Sequence, residues 1–208
     1  MEKNEPHFIN FKIHSQYSIC EGAVKIEELA EYCKSNKIKA IGLCDSLNLC
    51  GALEFAEKIS KVGTQPIIGS QINFKVENLI GKLPIFAKTK EGYKNLTKLS
   101  SLSYLESEAN SEPYCDLKNL FDNSSGLLVL SGTIYDLFGK LFKLNKLNLI
   151  KVLLRKLNDT FKDNFYLEIQ RHQEDDEKNY EDFLISISSE LMVPLISSQE
   201  VFYINKDM

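Results

Sequence analysis

Short apolar runs alternate with helical patterns from one end of the chain to the other. This predicts an α/β fold whose mostly parallel sheet is suited to closing into a barrel. Two observations carry the prediction. Seven runs of strand length lie at 8–13, 40–44, 66–74, 83–87, 127–130, 165–169 and 194–197. Between them, apolar residues recur every three or four positions, the period of an amphipathic helix.

Taken in order, strand 8–13 opens the chain, and Ile26, Leu29, Ala30 and Cys33 then share one helical face. Strand 40–44 precedes a second face of Ala52, Phe55, Ala56 and Ile59. After strands 66–74 and 83–87, the spacing of Tyr93, Leu96 and Leu99 marks a third helix, and the polar stretch 106–113 reads as the loop after it. Strand 127–130 leads to a helix carrying Leu147, Ile150, Leu154, Leu157 and Phe161. Strand 165–169 follows, and the acidic stretch 174–178 reads as the solvated first turn of the last helix, where carboxylates suit the dipole. That helix carries Tyr180, Phe183, Leu184, Ile187 and Leu191 before strand 194–197. There is no internal repeat. Residues 205–208 follow the last strand closely with no closing helix, which suits a segment of a longer chain.

With 208 residues and 43% hydrophobic content, the chain can bury one full core. A formal charge of −4 implies no basic field for gripping nucleic acid, so DNA would be reached through a partner or a longer chain. The five cysteines (20, 33, 44, 50 and 115) form no C-x-x-C pair and suit reduced thiols in a cytoplasm. No apolar run approaches the roughly 18 residues that span a bilayer, and the polar start is no signal peptide. A soluble cytoplasmic protein is expected. There is no G-x-S-x-G elbow, Walker loop or G-x-G-x-x-G.

The ends of the predicted strands carry the specific signal. They read Phe11-Lys12-Ile13-His14-Ser15-Gln16-Tyr17-Ser18, Leu43-Cys44-Asp45-Ser46-Leu47-Asn48-Leu49 and Ile67-Ile68-Gly69-Ser70-Gln71. Further on come Ala87-Lys88-Thr89-Lys90-Glu91-Gly92-Tyr93-Lys94-Asn95-Leu96, Leu130-Ser131-Gly132 and Tyr166-Leu167-Glu168-Ile169-Gln170-Arg171-His172. Each motif alone is weak, but the ordered series is strong. Over nearly all of 1–208 it resembles the polymerase-and-histidinol-phosphatase (PHP) domain at the start of bacterial DNA polymerase III alpha subunits. The resemblance implies a distorted seven-stranded β/α barrel, like a TIM barrel, with a multi-metal site at the C-terminal ends of the strands.

Carried over residue by residue, the resemblance implies that most of the metal ligands are missing. His14 is retained, and Glu21 and Glu200 stand where the family has aspartates. Lys12, Ser46, Gln71, Lys82, Thr133 and Phe202 occupy the degenerate ligand positions. Zinc and manganese need neutral imidazoles, carboxylates or thiolates. A lysine ammonium offers no lone pair, and a cation about 4 Å from a divalent ion costs several kcal/mol even at an effective dielectric of ~20. No bound metal is expected.

Structural roles are available for the same residues. His14 can be a hydrogen-bonded core histidine, Tyr17 and Ser18 can fix the loop after strand one, and Asp45 can cap a loop. Arg171 and His172 can pair within the protein, with Asp175 or Glu168 as partners, and His7 is expected to be exposed. Asp45, Glu21, Glu168 and Glu200 would repel one another if the metals were simply removed. Lys12 and Lys82 either supply the missing positive charge or extend outward to solvent.

The resemblance implies an N-terminal PHP domain of a DNA-directed DNA polymerase, with no catalytic residue in this segment. The segment would act as a structural module that docks the proofreading exonuclease subunit. Its partners would be the rest of the polymerase chain and that subunit, with DNA reached only through the full-length enzyme and no membrane. Magnesium would serve the parent polymerase and no cofactor this segment. The rival readings are an active metal-dependent phosphoesterase or 3′→5′ exonuclease, and a stand-alone binding protein on an inactive barrel.

Overall fold

The computed structural model describes residues 8–108 and 111–205; His7 lies outside them. The elements run β1 (Lys12–Ile13), α1 (Ile26–Ser35), β2 (Ala40–Ser46), α2 (Ala52–Lys61), β3 (Gln65–Val76), β4 (Leu79–Ala87) and α3 (Lys90–Glu106). They continue with β5 (Cys115–Asp116), α4 (Leu117–Asp122), β6 (Leu127–Leu130), α5 (Leu137–Lys143) and α6 (Leu147–Phe161). After a short 3₁₀ turn come β7 (Phe165–Ile169), α7 (Glu177–Leu191), β8 (Leu195–Ser197) and β9 (Glu200–Val201).

One nine-stranded sheet runs in the order β8-β7-β6-β4-β3-β2-β1-β9, with β5 paired to β3. All pairs are parallel except those of β4, which is antiparallel to both β3 and β6. The sheet curls so far that one stretch of chain holds both of its edges. Residues 195–197 pair with β7, and residues 200–201 pair with β1. The α/β class agrees with the sequence. Two strands exceed the seven predicted runs, because β5 and β9 are two residues each and too short to show a pattern. The first strand shrinks from 8–13 to Lys12–Ile13, and the short helices α4 and α5 appear where no periodic pattern was read.

Strand alternation divides the side chains between two environments. Outward-facing Ile13, Ile41 and Leu43 pack on α1 and α2, while Ile72, Leu83, Ile85, Val129, Phe165 and Leu167 pack under α3 to α7. Tyr93 departs from the predicted face and is 41% exposed. The inner face holds a small apolar plug of Cys44, Phe86 and Leu130, with Phe11, Tyr166 and Ile196 against it. The same inner face at the carboxyl ends of the strands is lined by polar residues.

Candidate functional site

The side chain of Lys12 is completely buried on β1, the strand next to β9. An unpaired ammonium there would cost far more than the fold could supply. Its Nζ lies 3.0 Å from Glu168 Oε1, 3.2 Å from Glu200 Oε1 and 4.0 Å from Asp136 Oδ2. Register places two of these groups together, since Lys12 and Glu200 are opposite one another on β1 and β9. Burial pushes the Lys12 ammonium toward its neutral form, but the carboxylates of Glu168, Asp136 and Glu200 outweigh it and hold the pKa well above the usual lysine value.

The network extends to both sides. His14 places Nε2 3.3 Å from Glu200 Oε1 and Nδ1 3.4 Å from Ser18 Oγ, with its ring stacked on Phe202 at 4.5 Å. Gln71 Nε2 donates to Glu200, and Ser46 Oγ donates to Glu21. Lys82 Nζ lies 3.0 Å from Glu21 Oε1 and 3.0 Å from Ser46 Oγ. On the far side Gln170 Nε2 donates to Glu168 Oε1 at 3.1 Å, the Ser198 hydroxyl donates to the same oxygen, and His172 meets Gln170 Oε1 at 3.0 Å. Burial works against ionising Glu200, yet the hydrogen bond from His14 and the charge of Lys12 leave its carboxyl well below the ordinary glutamate range. Asp136 moves the other way: burial raises its carboxyl and Lys12 offsets only part of that.

The residues singled out from sequence are therefore gathered. Lys12, His14, Glu21, Ser46, Gln71, Lys82, Glu200 and Phe202 lie in one linked cluster, and Thr133 joins it through its backbone N–H, which donates to Asp136 Oδ2 at 2.7 Å. Asp45 is placed differently. It accepts from Ser15 N at 2.6 Å, Ser15 Oγ at 2.8 Å and Ser18 Oγ at 2.8 Å, so it fastens the loop after β1. Tyr17 fixes the same loop through Glu54 at 2.8 Å. The partners expected for Arg171 and His172 are corrected: Arg171 pairs with Glu181 at 2.6 Å, and the His172 ring meets Gln170.

Sequence reading missed Asp136, Gln170 and Ser198. The available signal for Asp136 was an aspartate four residues beyond the Gly132 turn, directly before the apolar start of α5. Beside the cluster opens a cleft of about 470 Å³, lined among others by Tyr135, His172, Glu200 and Phe202.

The donor chemistry does not fit a divalent ion. Among the described residues no group of three or more His, Cys, Asp and Glu is arranged to hold one. The point on which the carboxylates converge is taken by the Lys12 ammonium, which has no lone pair to offer.

Residues 10–172 match the family model of the PHP domain. The chain belongs to the PHP family. This PHP domain is 37% identical over 204 residues to the DNA polymerase III subunit alpha of Rickettsia felis, covering 98% of this chain and 17% of that protein. It is 33% identical over 208 residues to the subunit of Buchnera aphidicola and 30% identical over 207 to that of Vibrio cholerae. It thus spans about a sixth of the length of these relatives. Among solved structures, the fold resembles a Bifidobacterium adolescentis protein assigned as a metal-dependent phosphoesterase, with a TM-score of 0.58 at 11% identity over 96% of this chain and 90% of that one. It also resembles an amidohydrolase from Chromobacterium violaceum, with a TM-score of 0.56 at 10% identity over 96% and 89%. No helix among the described residues is long and apolar enough to cross a membrane.

Proposed function

We propose that the chain is the N-terminal PHP domain of a bacterial replicative DNA polymerase III alpha subunit, and that its own barrel is a metal-free scaffold. The observation that carries the reading is the Lys12 ammonium seated between Glu168 and Glu200. A fixed cation there holds the carboxylates together and does none of the chemistry of a metal: it cannot lower the pKa of a bound water or bridge a phosphoryl oxygen to a nucleophile. Ser46, Gln71 and Phe202 add hydrogen bonds and stacking in place of ligation.

The polymerase parentage rests on the names of relatives that match 98% of the chain. The parent enzyme would extend DNA from deoxynucleoside triphosphates with magnesium held beyond this segment. The PHP barrel would support the polymerase fold and dock the separate proofreading exonuclease subunit. The test is elemental analysis of the purified chain, with assays on phosphomonoesters and DNA 3′ ends. The expected result is substoichiometric transition metal and no hydrolysis. Two or three metals per chain, with hydrolysis abolished by a chelator, would establish the phosphoesterase reading instead.

A further inference from the structure

Glu168 uses its two carboxylate oxygens unequally. Oε1 accepts from Lys12 Nζ at 3.0 Å, from Gln170 Nε2 at 3.1 Å and from the Ser198 hydroxyl. Oε2 is buried and, among the described residues, has no hydrogen-bond partner. The buried hydroxyl of Tyr180, on α7, shares that condition. Native folds leave few such atoms, because each costs its full desolvation unless something meets it.

The two orphaned oxygens belong to residues of one place. Glu168 and Tyr180 both line a cavity of about 10 Å³ between β7 and α7, room for about one water-sized guest. The other polar side chains around it are engaged elsewhere. Gln170 donates to Glu168 and Ser198 and meets the His172 ring. Glu181 holds Arg171 with both oxygens, and Glu177 accepts from the backbone N–H groups of His172 and Gln173. Thr133 Oγ1 accepts from Tyr135 N at 3.3 Å. Ser131 stands beside the Tyr180 hydroxyl without satisfying it, and its oxygen accepts from Glu168 N at 2.9 Å.

We infer that this cavity is a binding site for one water molecule, which bridges Glu168 Oε2 and Tyr180 Oη. The bridge needs a guest that donates to a carboxylate oxygen and accepts from a phenol, and water does both. Burial, with the charges of Asp136 and Glu168 nearby, pushes the Tyr180 pKa well above its usual value, so the phenol keeps its proton and is the donor. A hard cation is the poorer guest, because such ions gather about six or more oxygens and the cavity offers two uncommitted ones. Lys12 already meets Glu168 through Oε1.

The water has a structural task. Glu168 grips β1 through Oε1 and Lys12, and it would grip α7 through Oε2 and the water. The last helix is thereby tied to the carboxylate at the centre of the ion-pair cluster. The first turn of α7 supplies Glu177 to the wall of the neighbouring cleft, so the bridge also fixes that wall. The inference depends on the Lys12 cluster alone and stands with or without the polymerase reading.

The test pairs a high-resolution crystal structure of the chain with thermal melts of Tyr180→Phe. The variant keeps the ring, packed 5.3 Å from Phe142, and removes only the hydroxyl. Removing a hydroxyl that bonds to nothing is neutral or stabilising, whereas removing one end of a bridge to a carboxylate loses a hydrogen bond. The melting temperature should therefore fall by roughly 2–6 °C. The parent crystal should show one peak of density at about 2.5–3.0 Å from both oxygens, and exchange into rubidium should give no anomalous signal there. An empty cavity overturns the inference, as does an anomalous peak, which would assign the site to an alkali cation. A Tyr180→Phe melt at or above the parent overturns it too. The density is read on the parent chain, so the test holds even if the variant fails to fold.

Discussion

Lys12 is where a single side-chain type decides what the barrel end can do. Its ammonium is out of contact with water and bonded to Glu168 and Glu200, so removing it strands buried carboxylates. Lys12→Met should cost roughly 3–5 kcal/mol in a denaturant melt, and adding Glu168→Gln should recover part of the loss. A melt superimposable on the parent would remove Lys12 from this role. Lys82, with its side chain 26% exposed, makes the same kind of contact at the rim, and Lys82→Met should cost no more than about 1 kcal/mol. The cluster also sets a pH dependence. Glu200 has a folded pKa below its ordinary value of 4.5, so its contribution is present above that value and is lost as pH falls through and below it. Glu200→Gln should therefore flatten stability against pH on the acid side. Asp136, with a raised pKa, opposes this and favours folding at lower pH.

At the scale of elements, the motif Ala87-Lys88-Thr89-Lys90-Glu91-Gly92-Tyr93-Lys94-Asn95-Leu96 turns out to be a clamp. Thr89 caps α3 by accepting from Gly92 N at 3.0 Å, and Asn95 Nδ2 donates to Ser125 O at 2.8 Å. Lys88 N donates to Gly126 O at 2.9 Å, so the first turn of α3 lies backbone to backbone on the turn before β6. A Cβ on Gly92 would sit 1.9 Å from Gly126 O, a contact that only backbone movement relieves. Alanine is the better helix former by about 1 kcal/mol, yet Gly92→Ala should destabilise by about 1–3 kcal/mol, because overpacking wins over propensity. A thermal melt of the variant above the parent would show that the two turns separate easily. The sequence made the motif recognisable, but the reason for its glycine lies in a turn more than thirty residues away.

Over the whole molecule, closure of the sheet assembles the site. Lys12 and Glu168 are 156 residues apart, and they meet because the stretch from Leu195 to Val201 serves both edges of the sheet. On the proposed reading, the ion pairs of Lys12 with Glu168 and Glu200 hold this closure together without a bound ion. That is the property a structural module within a larger enzyme would use.

What the sequence determined was what depends on local pattern and residue type. Short apolar runs gave most of the strands, and apolar residues recurring every three or four positions gave most helices, because a helix buries one face of its own. The ordered motifs gave the family, and the resemblance implied that Lys12, Ser46, Gln71 and Phe202 stand at positions where ligands would be expected. Tertiary structure decided which groups pair. Whether Lys12 pointed inward or to solvent was open in the sequence, since a flexible side chain takes its direction from the partners within reach. Asp136 entered the cluster, and Asp45 left it for a loop, by geometry set across distant strands. Such contacts form only after long loops have closed, and no local pattern of residues records them.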